Sequence, residues 1–229
     1  MKLEKIGPLD ALVRHGQSPS TCVVLFHGYG ADAADLAPLA NFLDRDNSLS
    51  WVFPNGPREV SVGMGMMGRA WFQIDMESWQ KAMLTGEPRD LTNWEPEGLS
   101  AAVNKASSLL QTLTSSFDRV IVGGFSQGAM LSTEISLTTS IEPKALVLLS
   151  SGPIHYSIWQ SQIVDRKKAP VFQSHGKHDE VLSYGGAQKV YDLFKRSGWP
   201  VEFTSFNGGH EIPPQVLNSL QKFLKTHGH

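Results

Sequence analysis

Residues 119–129 read R-V-I-V-G-G-F-S-Q-G-A, and this stretch decides the fold. Arg119 to Val122 is β-branched and apolar, the pattern of a strand buried on both faces of a parallel sheet. Ala129 to Leu137 suits a helix. Between them Gly124-Phe125-Ser126-Gln127-Gly128 has the form G-x-S-x-G. A strand that turns at once into a helix crowds the residues two before and two after the apex. Glycine at both places removes the clash and lifts the Ser126 oxygen clear of the sheet, as a nucleophile elbow requires. Without that context the same five residues read as an ordinary strand-to-helix turn.

Outward from this window the chain alternates. Thr21–His27 reads as a buried strand, and Ala33–Leu43 as a helix with Leu36, Leu39, Ala40 and Leu43 on one face. Trp51–Phe53 is a short strand stopped by Pro54. Pro96–Leu113 has the apolar spacing of a long helix. Then come strand 119–123, helix 127–138, strands 145–150 and 170–174, helix 184–196, strand 201–206 and helix 213–225. The alternation predicts an α/β fold with a mostly parallel central sheet and helices on both faces. No linker or repeat interrupts it, so residues 1–229 are expected to form one domain. The stretch of about 55–93 is rich in Gly, Met and Trp with weak periodicity. Long loops of this kind usually cover or line sites.

Composition narrows the function. Of 229 residues, 41% are hydrophobic and 18% charged, which permits a large core and argues against disorder. The net charge of −2 has no clustered sign, so neither nucleic acid nor an anionic membrane surface is an expected partner. The single cysteine, Cys22, cannot form an internal disulfide. The N-terminus lacks the apolar core of a signal peptide, and no apolar run could span a bilayer, so a cytoplasmic protein is expected.

A serine hydroxyl becomes a nucleophile only when an oriented base takes its proton. On an α/β-hydrolase fold the partners follow in the order serine, acid, histidine, each on a loop after a strand. Strand 170–174 is followed by His175-Gly176-Lys177-His178-Asp179-Glu180, and strand 201–206 by Asn207-Gly208-Gly209-His210. Asp179 and His210 meet the order and lie past the C-terminal strand ends, where open α/β sheets hold their ligands. Glu180 should point away from Asp179, and Asp165 lies among three cations on a solvated face. His227 and His229 are at the terminus. His175 and His178 share the acid loop and read as local structure. An oxyanion hole needs two backbone N–H donors. Gln127, at a helix N-terminus, and Tyr29, in the loop His27-Gly28-Tyr29-Gly30, are the candidates. No His/Cys/Asp/Glu set has metal-ligand spacing, so no metal is expected.

Six blocks resemble one family: F-H-G-Y-G-A-D (26–32), F-P-N-G-P (53–57), G-R-A-W-F-Q-I (68–74), G-G-F-S-Q-G-A (123–129), H-G-K-H-D-E-V-L (175–182) and G-G-H-E-I-P-P (208–214). In this order, over nearly the whole chain, they are similar to the phospholipase/carboxylesterase family of α/β-hydrolases, which includes acyl-protein thioesterases. The resemblance implies a cofactor-independent serine esterase acting on esters or thioesters through Ser126, Asp179 and His210, with Tyr29 and Gln127 as oxyanion donors. Tyr29 stands where many members have leucine and Ala129 where many have glycine, and 73–93 matches only loosely.

Another acyl hydrolase, such as a serine peptidase or a dienelactone-hydrolase-like enzyme, is the alternative among enzymes. A non-catalytic binding module on the same scaffold is the alternative outside them. For an acyl ester substrate, small or lipid-like, Met64, Met66, Met67, Trp71 and Phe72 are the expected contacts. Their soft apolar side chains sit between adaptable glycines.

Overall fold

Strands alternate their side chains between two helical layers, and that alternation organises the molecule. The computed structural model describes residues 1–17, 20–63, 65–85, 91–92 and 94–228. Parallel strands β3 (Thr21–Phe26), β4 (Ser50–Pro54), β7 (Arg119–Phe125), β8 (Ala145–Leu149), β9 (Val171–Gly176) and β10 (Val201–Phe206) form the body of one eight-stranded sheet. On β3, Cys22, Val24 and Phe26 join one apolar cluster, while Val23 and Leu25 join the other. The first cluster takes its helical share from α4 (Leu99–Thr114), α5 (Gln127–Thr138) and α7 (Tyr184–Arg196). The second takes it from α1 (Ala33–Leu36), α2 (Pro38–Leu43) and α8 (Pro214–His227). Central strands buried on both faces show no polar alternation, which is why they read as continuous apolar runs.

The sheet order is β1-β2-β4-β3-β7-β8-β9-β10. No element is expected before Thr21, yet β1 (Lys2–Ile6) and β2 (Leu9–Arg14) form an antiparallel hairpin that pairs through β2 with β4. Leu9, Ala11 and Val13 are buried there, and Ile6 and Leu12 pack partly buried against the two clusters. The helix expected over 33–43 divides, because Pro38 has no N–H to donate to Ala34 and the ladder breaks. The helix expected from Pro96 starts at Leu99 after Gly98, whose φ of 86° is left-handed. A short helix α6 (Tyr156–Gln162) fills the gap between β8 and β9.

The stretch 55–93 carries more regular structure than its periodicity suggests. Strands β5 (Arg58–Gly63) and β6 (Met66–Ala70) make a separate antiparallel hairpin, and α3 (Met76–Thr85) follows. The register slips between Ser61 and Gly63, which spoils the two-residue period in the sequence. Among the described residues no helix is long and apolar enough to cross a membrane.

Candidate active site

The elbow is strained as its sequence demands. Ser126 sits between β7 and α5 at φ 54° and ψ −117°, a conformation that costs a non-glycine residue about 1–3 kcal/mol. Its N–H donates to the carbonyl of Leu149 at 2.9 Å, and its own carbonyl accepts from Ala129 and Met130 at the start of α5. A Cβ on Gly124 or on Gly128 would collide with the carbonyl oxygen of Phe26 on β3. Both glycines are therefore required by the close approach of β3 to the turn.

Asp179 lies on the loop after β9 with its side chain fully buried. One carboxylate oxygen, Oδ1, accepts from the backbone N–H groups of Val181 at 2.9 Å and Leu182 at 2.8 Å. The other, Oδ2, stands 2.7 Å from Nδ1 of His210, on the loop after β10. Burial pushes the Asp179 carboxyl up, but the His210 bond and charge, with the backbone bond from Leu182, hold it below the ordinary carboxylate value. The ring of His210 also rests on that of Phe125, centroids 4.7 Å apart.

A cavity of about 570 Å³ opens at this point, and Ser126, His210, Tyr29 and Gln127 all line it. Behind it a buried polar network fixes the loop that carries Tyr29. The His27 ring donates from Nδ1 to the carbonyl of Gly28 at 2.7 Å and accepts at Nε2 from the N–H of Gly56 at 2.9 Å. Burial lowers the His27 pKa to about 4, so the ring is neutral. The Trp71 indole donates to the carbonyl of His27. The Gln127 side chain accepts from the N–H of Trp71 at 2.9 Å and donates to the carbonyl of Phe72 at 2.8 Å. The β5–β6 hairpin is zipped to the same loop: Gly30 N–H donates to Arg69 O, and Arg69 N–H to Ala31 O, both at 2.8 Å. A Cβ on Gly68 would collide with the Gly30 carbonyl oxygen.

The expected acyl contacts divide. Phe72 lines the cavity. Trp71 does not; it is fully buried behind the wall, where its indole serves the network. Met66 and Met67 are 57% and 62% exposed and lie off the cavity, because β6 presents them to solvent while Gly68 meets Gly30. Met64 lies outside the described residues. Apolar lining comes instead from Val62, Ile74, Leu91, Trp94, Met130 and Leu182. Met130 was legible as the residue one helical turn after Ser126. Leu91 and Trp94 carry no local signal and reach the site only through tertiary packing.

Residues 9–228 match the model of the phospholipase/carboxylesterase family. The chain is 32% identical to acyl-protein thioesterase 1 of Eremothecium gossypii, over 94% of this chain and 91% of that one. Among solved structures it is similar to esterase PE8, with 26% identity, a TM-score of 0.78 and coverage of 99% and 100%. It shares the fold of acyl-protein thioesterase 2 of Zea mays, with 22% identity, a TM-score of 0.70 and coverage of 95% and 98%.

Proposed function

The chain belongs to the phospholipase/carboxylesterase family and hydrolyses esters or thioesters, and on that premise we propose that Ser126, His210 and Asp179 are its nucleophile, base and acid. The observation that carries the proposal is the 2.7 Å bond from His210 to a buried Asp179 beside the cavity that Ser126 also lines.

The Ser126 oxygen attacks the acyl carbon as its proton passes to Nε2 of His210. Asp179 holds the Nδ1 hydrogen and stabilises the imidazolium that forms. Charge developing on the former carbonyl oxygen is taken by the N–H groups of Tyr29 and Gln127, the second helped by the N-terminus of α5. As the tetrahedral adduct collapses, His210 protonates the departing alkoxide or thiolate. Water then attacks the acyl-enzyme by the same route and restores Ser126. No cofactor enters the sequence.

The apolar wall of Phe72, Ile74, Leu91, Trp94 and Leu182 receives the acyl chain. The whole chain works as one unit, with the β5–β6 hairpin beside the mouth. A fluorophosphonate probe and a panel of p-nitrophenyl esters test the assignment. Wild type should label, and Ser126→Ala should neither label nor turn over, losing on the order of 10⁴–10⁶ in rate. A folded Ser126→Ala protein retaining a tenth of the wild-type rate overturns it.

A further inference from the structure

Two histidines face the carboxylate of Asp179. His210 meets Oδ2 at 2.7 Å from the solvent side, and His175 brings Nε2 to 3.4 Å from the same oxygen from within. His175 lies on β9 four residues before the acid, and its side chain has no exposed surface.

The proton on His175 can be located by its partners. Its Nε2 is 2.9 Å from the carbonyl oxygen of Leu182. A carbonyl only accepts, so Nε2 carries the hydrogen and donates it to Leu182 O, which holds the polar N–H edge of the ring 3.4 Å from Asp179 Oδ2. Nδ1 then holds a lone pair, and this buried atom has no hydrogen-bond partner among the described residues. A second proton would have to sit there, buried and without an acceptor. Burial accordingly lowers the His175 pKa, against the raising influence of Leu182 and Asp179. His175 is a fixed neutral donor, unlike His210, whose free nitrogen must gain and lose a proton.

Leu182 closes the arrangement. Its N–H donates to Asp179 Oδ1, its carbonyl accepts from His175, and its side chain lines the cavity. Two backbone bonds fix Oδ1 but leave the carboxylate free to tilt about that oxygen, which would swing Oδ2 and the His210 ring with it. We propose that His175 is a positioning residue: its Nε2–H edge, pinned by Leu182 O and packed 3.4 Å from Oδ2 with both side chains fully buried, opposes this tilt by contact and electrostatic attraction, so that Asp179 presents Oδ2 to His210 in one orientation. The proposal rests on the triad reading above.

The test is a double-mutant cycle read as kcat on a short p-nitrophenyl ester, per molecule folded by near-ultraviolet circular dichroism. His175→Phe keeps the ring and removes the donor; kcat should fall on the order of tenfold with KM little changed. His175→Gln restores a donor near the Nε2 position and should return to within about threefold of wild type. In the Asp179→Asn background His175→Phe should cost less than about twofold more, because the carboxylate it orients is gone. A merely structural histidine would cost the same in both backgrounds. If the Phe protein does not fold, His175→Asn, whose amide stops short of the Nε2 position, removes the same donor. Unchanged kcat in the donor-less protein, or an equal loss in both backgrounds, overturns the proposal. Wild-type kcat in Asp179→Asn alone would instead overturn the triad reading beneath it.

Discussion

Gly176 and Gly209 meet through bare backbone: a Cβ on Gly176 would collide with the carbonyl oxygen of Gly209 and lie 2.9 Å from the carbonyl carbon of Gly208. The contact joins the loop that carries Asp179 to the loop that carries His210. Lys177 N–H donates to Phe206 O at 2.8 Å and His178 N–H to Gly208 O at 3.0 Å, so the parallel β9–β10 ladder extends into both loops. The 2.7 Å spacing of the acid and the histidine is set by strand pairing as much as by their own bond.

Gly176→Ala should therefore fold and lose activity. The added methyl must push the two loops apart, and a displacement near 1 Å can cost about 10² in rate. Steady-state kcat on a p-nitrophenyl ester and the urea midpoint check it. We expect kcat down on the order of 100-fold with a stability loss of only about 1–3 kcal/mol. Wild-type kcat would mean that the loops tolerate the separation and that the contact is incidental.

Trp94→Ala should change chain-length preference, and Met66→Ser with Met67→Ser should not. Trp94 lines the cavity and packs edge-on against Phe72, ring centroids 5.9 Å apart. If the indole gives an octanoyl chain about 50 Å² of apolar contact, its loss at roughly 25 cal/mol per Å² lowers kcat/KM about tenfold. Acetyl ester turnover should stay within about twofold. The exposed methionines touch solvent, so their double variant should keep the wild-type profile across acyl lengths. A flattened profile in the methionine variant would move the acyl site onto the hairpin.

The contrast between these residues shows what the sequence could reveal. Gly124 and Gly128 are legible because one tight turn fixes their spacing locally, and Asp179 and His210 because a parallel sheet puts its functional loops after strands. The cavity wall is not local. Met66 and Met67 look like acyl contacts from composition, but orientation follows the register of β5 on β6, which an irregularity at Ser61/Gly63 hides. Leu91 and Trp94 lie where no periodicity marks a side. The N-terminal hairpin escapes notice because only one face of β2 is buried, over three residues.

Gln127→Glu should be worse than Gln127→Ala, although both keep the backbone N–H at 127. The amide accepts from Trp71 N–H and donates to Phe72 O, so it holds the cavity wall against the elbow. Alanine leaves both backbone groups unpaired, at about 1–3 kcal/mol each. Glutamate keeps the first bond but turns a charged oxygen towards a carbonyl in a buried site. Thermal denaturation should rank wild type above alanine above glutamate at pH 7. Glutamate equal to wild type would mean that the clamp is not made.

His27 should make the protein's stability fall with acid, and the sign follows from its environment. The ring is buried, donates to Gly28 O and accepts from Gly56 N–H, so only the neutral form fits. Burial lowers its pKa from 6.5 to about 4. A histidine whose folded pKa is lowered binds protons more readily when unfolded. Its contribution is therefore fully present above about pH 6.5, shrinks as the pH falls, and is gone near pH 4. The shift from 6.5 to about 4, at about 1.4 kcal/mol per unit, amounts to about 3 kcal/mol. His175, also lowered by burial, and Asp179 contribute in the same direction, so the total slope does not isolate His27. A difference does. His27→Gln removes the titration and leaves the other groups in place. Urea unfolding of both proteins at intervals from pH 7 to pH 4 should show a stability gap at pH 7 that narrows by about 3 kcal/mol on acidification. The narrowing should be confined to the window between 6.5 and about 4. A gap that stays constant across that window would mean that His27 is not held neutral, and the network behind the Tyr29 loop would need another proton arrangement.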